Sequence, residues 1–278
     1  MKKSRRPWPF RRMAGLMIRT GSFSLAALLF GLGDQGRAIG LCLSQLEAID
    51  SLMDFKAGRL RKIILELTQD KSFLQHINSK LKEAEEELAA RKIPGTVGLF
   101  DYGPLLYALV RCVRPSVVVE TGVASGASSA YILKAMQTEG KGMLYSVDLP
   151  EGDKQDPNYT AMQFERHGAF GPTLLPQKLK TGYAIPEELK NRWQLTLGDA
   201  AIELPKLLEK LGSIDIFFHD SKHSYDHMMF EFQTAYPYLR SGGGLILSDD
   251  ITWNSSFQDF ARQVSRPHTS NPIGILVK

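Results

Sequence analysis

Ser116-Val-Val-Val-Glu120-Thr-Gly122-Val-Ala-Ser125-Gly126 is the stretch that decides the fold. Val117 to Val119 is a β-branched run without alternation, the pattern of a strand buried on both faces of a parallel sheet. Glu120 closes it, Gly122 and Gly126 bracket a tight turn, and Ser128 to Met136 has helical composition. Strand, glycine turn and helix make the first half of a βαβ nucleotide-binding unit. Glycine lets the backbone approach a ligand, and the helix N-terminus offers free N–H groups. Ala124 occupies the middle of the turn, so the Gly-x-Gly-x-x-Gly of dinucleotide binders is missing. That weighs against a nicotinamide-dependent oxidoreductase.

Downstream, strands and helices alternate. A second strand is expected over Met143 to Leu149, carrying Asp148 near its end, and a third over Trp193 to Leu197, before Gly198-Asp199. A fourth runs from Ile214 to Phe218, before His219-Asp220, and a fifth from Leu245 to Leu247, before Ser248-Asp249-Asp250. Helices fall over Ala201 to Leu211, Asp226 to Leu239 and Phe257 to Val264. Pro272 to Val277 reads as a last, antiparallel strand at the sheet edge. The pattern predicts an α/β fold, a Rossmann-like doubly wound, mostly parallel sheet over residues 96–278. Residues 151–192 interrupt it, rich in Gly and Pro, with one short helix from Pro186 to Arg192. With Tyr159, Phe164, His167 and Phe170, this insertion reads as a substrate lid; a solvated insertion is the plainer alternative.

Upstream, residues 41–95 read as a helical extension. Leu46, Met53, Leu60, Leu67, Leu74, Leu81 and Leu88 recur every seven residues, and Ile49, Ile63, Ile77 and Ala84 fill the intermediate seam. Thr68 to Ser72 could break the helix. The heptads suit either a homodimer through residues 46–88 or a cap lying on the sheet domain. Residues 1–33 hold seven Lys or Arg and no Asp or Glu, ahead of or flanking the apolar Phe23 to Leu32. That run is too short to span a bilayer as a helix. Residues 1–33 suit peripheral contact with an anionic membrane, the plainer alternative being that segment 1–40 is an N-terminus packed on the next helix. The remaining chain has 27 basic and 30 acidic residues, which gives no nucleic-acid footprint. Two cysteines, Cys42 and Cys112, make no framework and fit a reducing, cytoplasmic compartment.

Glu120, Asp148, Asp199, Asp220 and Asp249 each fall at the end of a predicted strand, where open α/β sheets bind ligands. A single such Asp is usually a helix N-cap; five in register with a glycine turn point to a site. The set Glu120-x-Gly122-x-x-x-Gly126, Asp148, Gly198-Asp199 and Gly242-Gly-Gly-Leu-Ile-Leu-Ser-Asp-Asp250 resembles the motif series of class I S-adenosylmethionine-dependent methyltransferases. His219-Asp-Ser-Lys-His-Ser-Tyr225 resembles the Asp-Gly-Asp-His-Ser-Tyr signature of bacterial small-molecule O-methyltransferases, a group related to the macrolide-sugar enzymes and to cephalosporin hydroxylase. Lys222 stands where that signature has its second Asp, and Ser221 where it has Gly. Asp249-Asp250-Ile-Thr-Trp253-Asn254 also resembles the Asp-Asn-x-x-Trp-Asn motif of catechol and caffeoyl-coenzyme-A O-methyltransferases.

The resemblance implies that Glu120, Gly122, Ser125, Gly126, Ser128, Asp148, Asp199 and Asp220 bind S-adenosyl-L-methionine. It implies a small-molecule acceptor, and Mg²⁺ on Asp220, Asp249 and Asp250. The two families' registers place the first metal ligand on His219 or on Asp220; a hard cation favours the carboxylate. Three carboxylates on adjacent strand ends repel unless a cation lies between them. His223 and Lys222 are the candidate bases, with His227 one helical turn on from His223. The rival from another class is a catalytically degenerate, membrane-associated scaffold, which the heptads, the basic N-terminus and Lys222 motivate.

Overall fold

In a computed structural model, which describes residues 43–90, 102–149, 179–270 and 273–278, seven strands form one sheet in the order β3-β2-β1-β4-β5-β7-β6. The strands are β1 (Val117–Thr121), β2 (Met143–Asp148), β3 (Trp193–Leu197), β4 (Ile216–His219), β5 (Leu245–Ser248), β6 (His268–Ser270) and β7 (Gly274–Val277). β1 to β5 are parallel, and β7 runs antiparallel to β5. The last strand therefore forms as expected but not at the edge, because β6 pairs outside it. Strand order reverses between β1 and β4, so the glycine turn and the His219-Asp220 loop leave the sheet side by side.

The valine run behaves as its composition requires. Val118 faces one core and Val119 the other, and both are fully buried. Phe217 and Phe218 divide between the faces in the same way, as do Ile246 and Leu247. One face packs on α4 (Gly103–Val113) and α5 (Ala127–Glu139). The other packs on α6 (Ala200–Leu211), α7 (Tyr225–Ala235) and α8 (Ser256–Val264). Each fully buried large side chain contributes about 1.5–3 kcal/mol to folding.

The helical extension is three helices, not one or two: α1 (Leu43–Leu52), α2 (Arg59–Leu67) and α3 (Lys71–Ala90). The break before α2 has local causes. Asp54 and Gly58 adopt positive φ, and the buried Asp50 carboxylate accepts hydrogen bonds from the N–H groups of Gly58 (2.8 Å) and Leu60 (3.2 Å). Asp70, which interrupts the heptads, caps α3 through the Phe73 N–H at 3.1 Å and pairs with Lys134 of α5 at 2.6 Å. Leu46, Leu60, Leu67, Leu81 and Leu88 are buried in the same core as Leu105 and Tyr131. The seam considered for a homodimer through residues 46–88 is thus filled within one chain, and the extension is a cap on the α4–α5 face. No helix among the described residues is long and apolar enough to cross a membrane. Residues 1–40 and 151–178, with Tyr159, Phe164, His167 and Phe170, lie outside the described residues.

Candidate active site

The loop after β1 is held by its neighbours. Gly122 has φ +83°, its N–H donates to the Val147 carbonyl at 2.9 Å, and a Cβ there would lie 2.0 Å from the Asp220 carbonyl oxygen. Gly126, with φ +79°, caps α5, and its missing Cβ leaves room for Gly182 and Ile185. The segment after the insertion is fastened over this loop. Gly182 N–H donates to Ala124 O and Ala184 N–H to Ser125 O, each at 2.9 Å. So residues 179–192, read as part of a lid, pack back on the glycine turn; Ala184, Ile185 and Leu189 are buried.

The strand-end acids have diverged in role. Glu120 is fully buried and accepts from Ser128 Oγ (3.1 Å), Ser129 Oγ (2.6 Å) and Ser146 Oγ (2.8 Å). Its carboxylate, and with it Ser128, ties β1, β2 and the first turn of α5 together. Ser125 is buried too, and its Oγ accepts from the Ala127 N–H at 3.4 Å. Asp148 accepts from the Val123 N–H at 3.2 Å and from Thr181 Oγ1 at 3.1 Å, at the mouth of the turn. Asp199 is exposed and caps α6, accepting from the Ala201 N–H at 2.9 Å, the plainer of its two sequence readings.

Burial pushes the Glu120 carboxyl up to about 7, against its three serine donors. An unfolded glutamate titrates near about 4.3. The folded-state value is raised, so this group's stabilisation is complete below the unfolded value and is lost as pH rises through about 7. Glu120→Gln should therefore be more stable than wild type at pH 8, by about 2–3 kcal/mol, and gain little at pH 4. Urea unfolding at the two pH values checks this; an equal effect at both would show that the Glu120 carboxyl is not raised in the folded protein.

The second cluster lies across the β4 and β5 ends. Asp220, His223 and Asp249 each offer a ligand atom within 4.8 Å of the others. Asp250 is not in that set: at φ +47° it leaves the strand direction, and its Oδ2 lies 3.7 Å from His223 Nδ1. The expected carboxylate trio thus becomes two carboxylates and an imidazole, with Asp250 behind the ring. His223 Nε2 lies 3.9 Å from Asp220 Oδ1. Burial, with the charges of Asp249 and Asp250, holds Asp220 well above the usual carboxylate range. Burial also raises Asp249, which accepts hydrogen bonds from Tyr102 and from Asp220. Asp250 is pushed up to about 7 by burial and by the Asp249 charge. Acids so raised need protons or a cation between them. The two carboxylates, Asp220 and Asp249, are oxygen donors of the kind that Mg²⁺ or Mn²⁺ prefers, which leaves the His223 imidazole beside them for proton transfer.

His219 is fully buried, with Nδ1 2.5 Å from Glu231 Oε2, and lies outside the cation set. Lys222 is exposed and forms no ion pair or hydrogen bond among the described residues. His227 turns to Glu231, with Nε2 at 2.9 Å from Oε1. Asn254, from the motif after β5, donates to the His223 carbonyl at 3.1 Å, and the Trp253 ring lies 5.5 Å from that of His223. Sequence reasoning missed Tyr102, Thr181 and Glu231. None sits in a motif; Tyr102 and Thr181 reach the site from segments distant in sequence, and Glu231 from the helix that follows the His219–His223 loop.

Strand order, glycine turn and strand-end acids are those of an open, doubly wound α/β sheet with a ligand-binding edge at its switch point. Residues 119–251 match the model of the family described as Methyltransferase domain. Comparison with curated proteins finds no match. Among solved structures, the chain is similar to a Bacillus cereus O-methyltransferase in complex with SAH: 15% identity, 72% of this chain and 91% of that one, TM-score 0.45. It is similar to a Geobacter sulfurreducens methyltransferase at 19% identity, over 72% of this chain and 88% of that one, TM-score 0.44. It is also similar to TomG, an O-methyltransferase from Streptomyces achromogenes solved with SAM, at 17% identity, over 65% and 69%, TM-score 0.42.

Proposed function

We propose that the protein is an S-adenosylmethionine-dependent O-methyltransferase that acts on a hydroxyl of a small molecule with a divalent cation at the β4–β5 lip. The observation that carries the reading is the Asp220–His223–Asp249 cluster standing against a glycine turn at the sheet's switch point. The cofactor would lie along the turn, its ribose hydroxyls toward Asp148. Leu149 and Leu197, 56% and 54% exposed, offer an apolar surface at the β2 and β3 ends that an adenine ring could cover.

S-adenosylmethionine supplies the electrophilic methyl group. Asp220 and Asp249 would hold Mg²⁺, which when bound lowers the pKa of a hydroxyl beside it. His223 Nε2 takes the acceptor's proton, while Asp250 behind Nδ1 stabilises the resulting imidazolium. The bound cofactor would donate its methyl group to the deprotonated acceptor oxygen, with the carbon–sulfur electron pair remaining on the thioether that leaves. Lys222 is exposed on the loop and takes no part in the proposed proton transfer. The scaffold reading draws on Lys222, but it gives no account of three raised acids gathered at one lip.

Titration calorimetry with S-adenosylmethionine tests the cofactor, and transfer of a labelled methyl to a panel of phenols, catechols and sugars, with and without Mg²⁺, tests the reaction. Absence of cofactor binding would end the proposal.

A further inference from the structure

A second charged group lies beneath the site and belongs to none of its expected chemistry. Glu231 of α7 is fully buried. Its Oε2 accepts from Thr121 Oγ1 at 2.6 Å and lies 2.5 Å from His219 Nδ1. Its Oε1 accepts from Ser221 Oγ at 2.8 Å and lies 2.9 Å from His227 Nε2. Burial alone would raise this carboxyl, but the neighbouring His219 and the hydrogen bonds hold it well below the usual range. An ionised carboxylate only accepts. The four partners are therefore donors, with His219 fixed as its Nδ1–H form.

These partners are the pieces whose positions define the site. Thr121 immediately precedes Gly122, where the space a Cβ would need is taken by the Asp220 backbone. The Asp220 N–H donates to the Thr121 carbonyl at 2.8 Å. Ser221 lies between Asp220 and His223. The His219 ring meets the His223 ring edge-on, with centroids 5.2 Å apart. One carboxylate thus fastens the end of β1, the end of β4 and the loop carrying the Asp220 cation ligand and the His223 base to a helix on the far face of the sheet.

We propose that Glu231 is the positioning residue of this site: it sets the Asp220–His223 loop against the glycine turn, so that the cation ligands stand correctly beside the cofactor. This rests on the methyltransferase reading with a divalent cation at the lip. A buried carboxylate joined to four donors is poorly replaced, since a neutral amide accepts at only one of its two ends.

The test compares full-length wild type with Glu231→Gln and Ser221→Ala, well below their unfolding temperatures. Mn²⁺ binding is read by electron paramagnetic resonance and S-adenosylmethionine binding by calorimetry. In Glu231→Gln, Mn²⁺ affinity should fall about 10- to 100-fold, the range for lost outer-shell partners, while cofactor affinity stays within about threefold. Ser221→Ala, which removes one bond and leaves the core, should weaken Mn²⁺ in the same direction by a smaller factor. If Glu231→Gln only unfolds at lower temperature and binds Mn²⁺ as wild type does, Glu231 is merely structural and the proposal is overturned. Should Glu231→Gln fail to fold, unchanged Mn²⁺ affinity in Ser221→Ala overturns it. Wild type that binds cofactor but no Mn²⁺ sinks the positioning role alone; wild type that binds neither sinks the methyltransferase reading as well.

Discussion

Asp249→Asn should reduce Mg²⁺ affinity and methyl transfer by about 100-fold, while S-adenosylmethionine affinity changes little. Asp249 is one of the carboxylates in the cation-ready set, and the substitution keeps an oxygen for the Tyr102 hydroxyl. The cofactor's expected contacts lie at the β1 and β2 ends, away from it. The stability change should have the opposite sign to the activity change. Asp220, Asp249 and Asp250 all have raised folded-state values, so each costs stability as pH rises through its own value. Removing one negative charge relieves the other two, and Asp249→Asn without metal should be more stable than wild type at pH 8. By the same linkage, Mg²⁺ should stabilise wild type more at pH 8 than at pH 6, where protons already separate the acids. At about 100 times its dissociation constant the gain is about 2.7 kcal/mol. Thermal melts of both proteins, with and without Mg²⁺ at the two pH values, read all of this. A wild-type melting temperature indifferent to Mg²⁺ at pH 8 would leave the acids without their proposed partner.

Gly122→Ala should destabilise the protein by about 3–5 kcal/mol, an effect at the upper end for one methyl group. Two costs combine. The backbone stands at φ +83°, where an L side chain is strained, and the added Cβ would sit 2.0 Å from Asp220 O, 2.4 Å from Asp220 C and 2.8 Å from Ser221 Cα. Those atoms are backbone at the end of a central strand and cannot swing aside as a side chain would. The variant should also lose Mn²⁺ binding, because the loop that must move carries Asp220. Gly140→Ala is the control. It shares a positive φ, +66°, but has nothing within 4 Å, so it should cost only about 1 kcal/mol. Denaturant unfolding separates the two; equal losses would mean that φ strain alone accounts for Gly122.

Gly122 and Gly126 also mark a limit of reading the turn from sequence. Gly-x-x-x-Gly suggested room for a ligand. At Gly122 the room is taken by the chain's own β4 loop, and at Gly126 by the segment around Gly182. Glycine signals a close approach to the backbone, but not by what. Asp199 and Asp70 taught the same lesson: both are N-caps, a local role that any strand-end or break-point Asp can fill. The heptads gave the buried face of the helices correctly and left their partner open, since a leucine stripe is equally satisfied by a second copy or by a neighbouring helix.

By itself the sequence determined the sheet domain. Unalternated Val, Ile and Phe runs must be buried on both faces, and helices between parallel strands can only cross over the sheet, so the carboxylates at the strand ends had to share one edge. Which of those carboxylates face a ligand was decided by tertiary structure alone. Glu120 turned inward because Ser128, Ser129 and Ser146 meet it there. Asp250 left the cation set because its backbone leaves the strand at positive φ. His223 stands in the set on a loop that Glu231 contacts through His219 and Ser221. Such assignments depend on distances of an ångström or two and on local backbone angles, and no pattern of residue types carries that information.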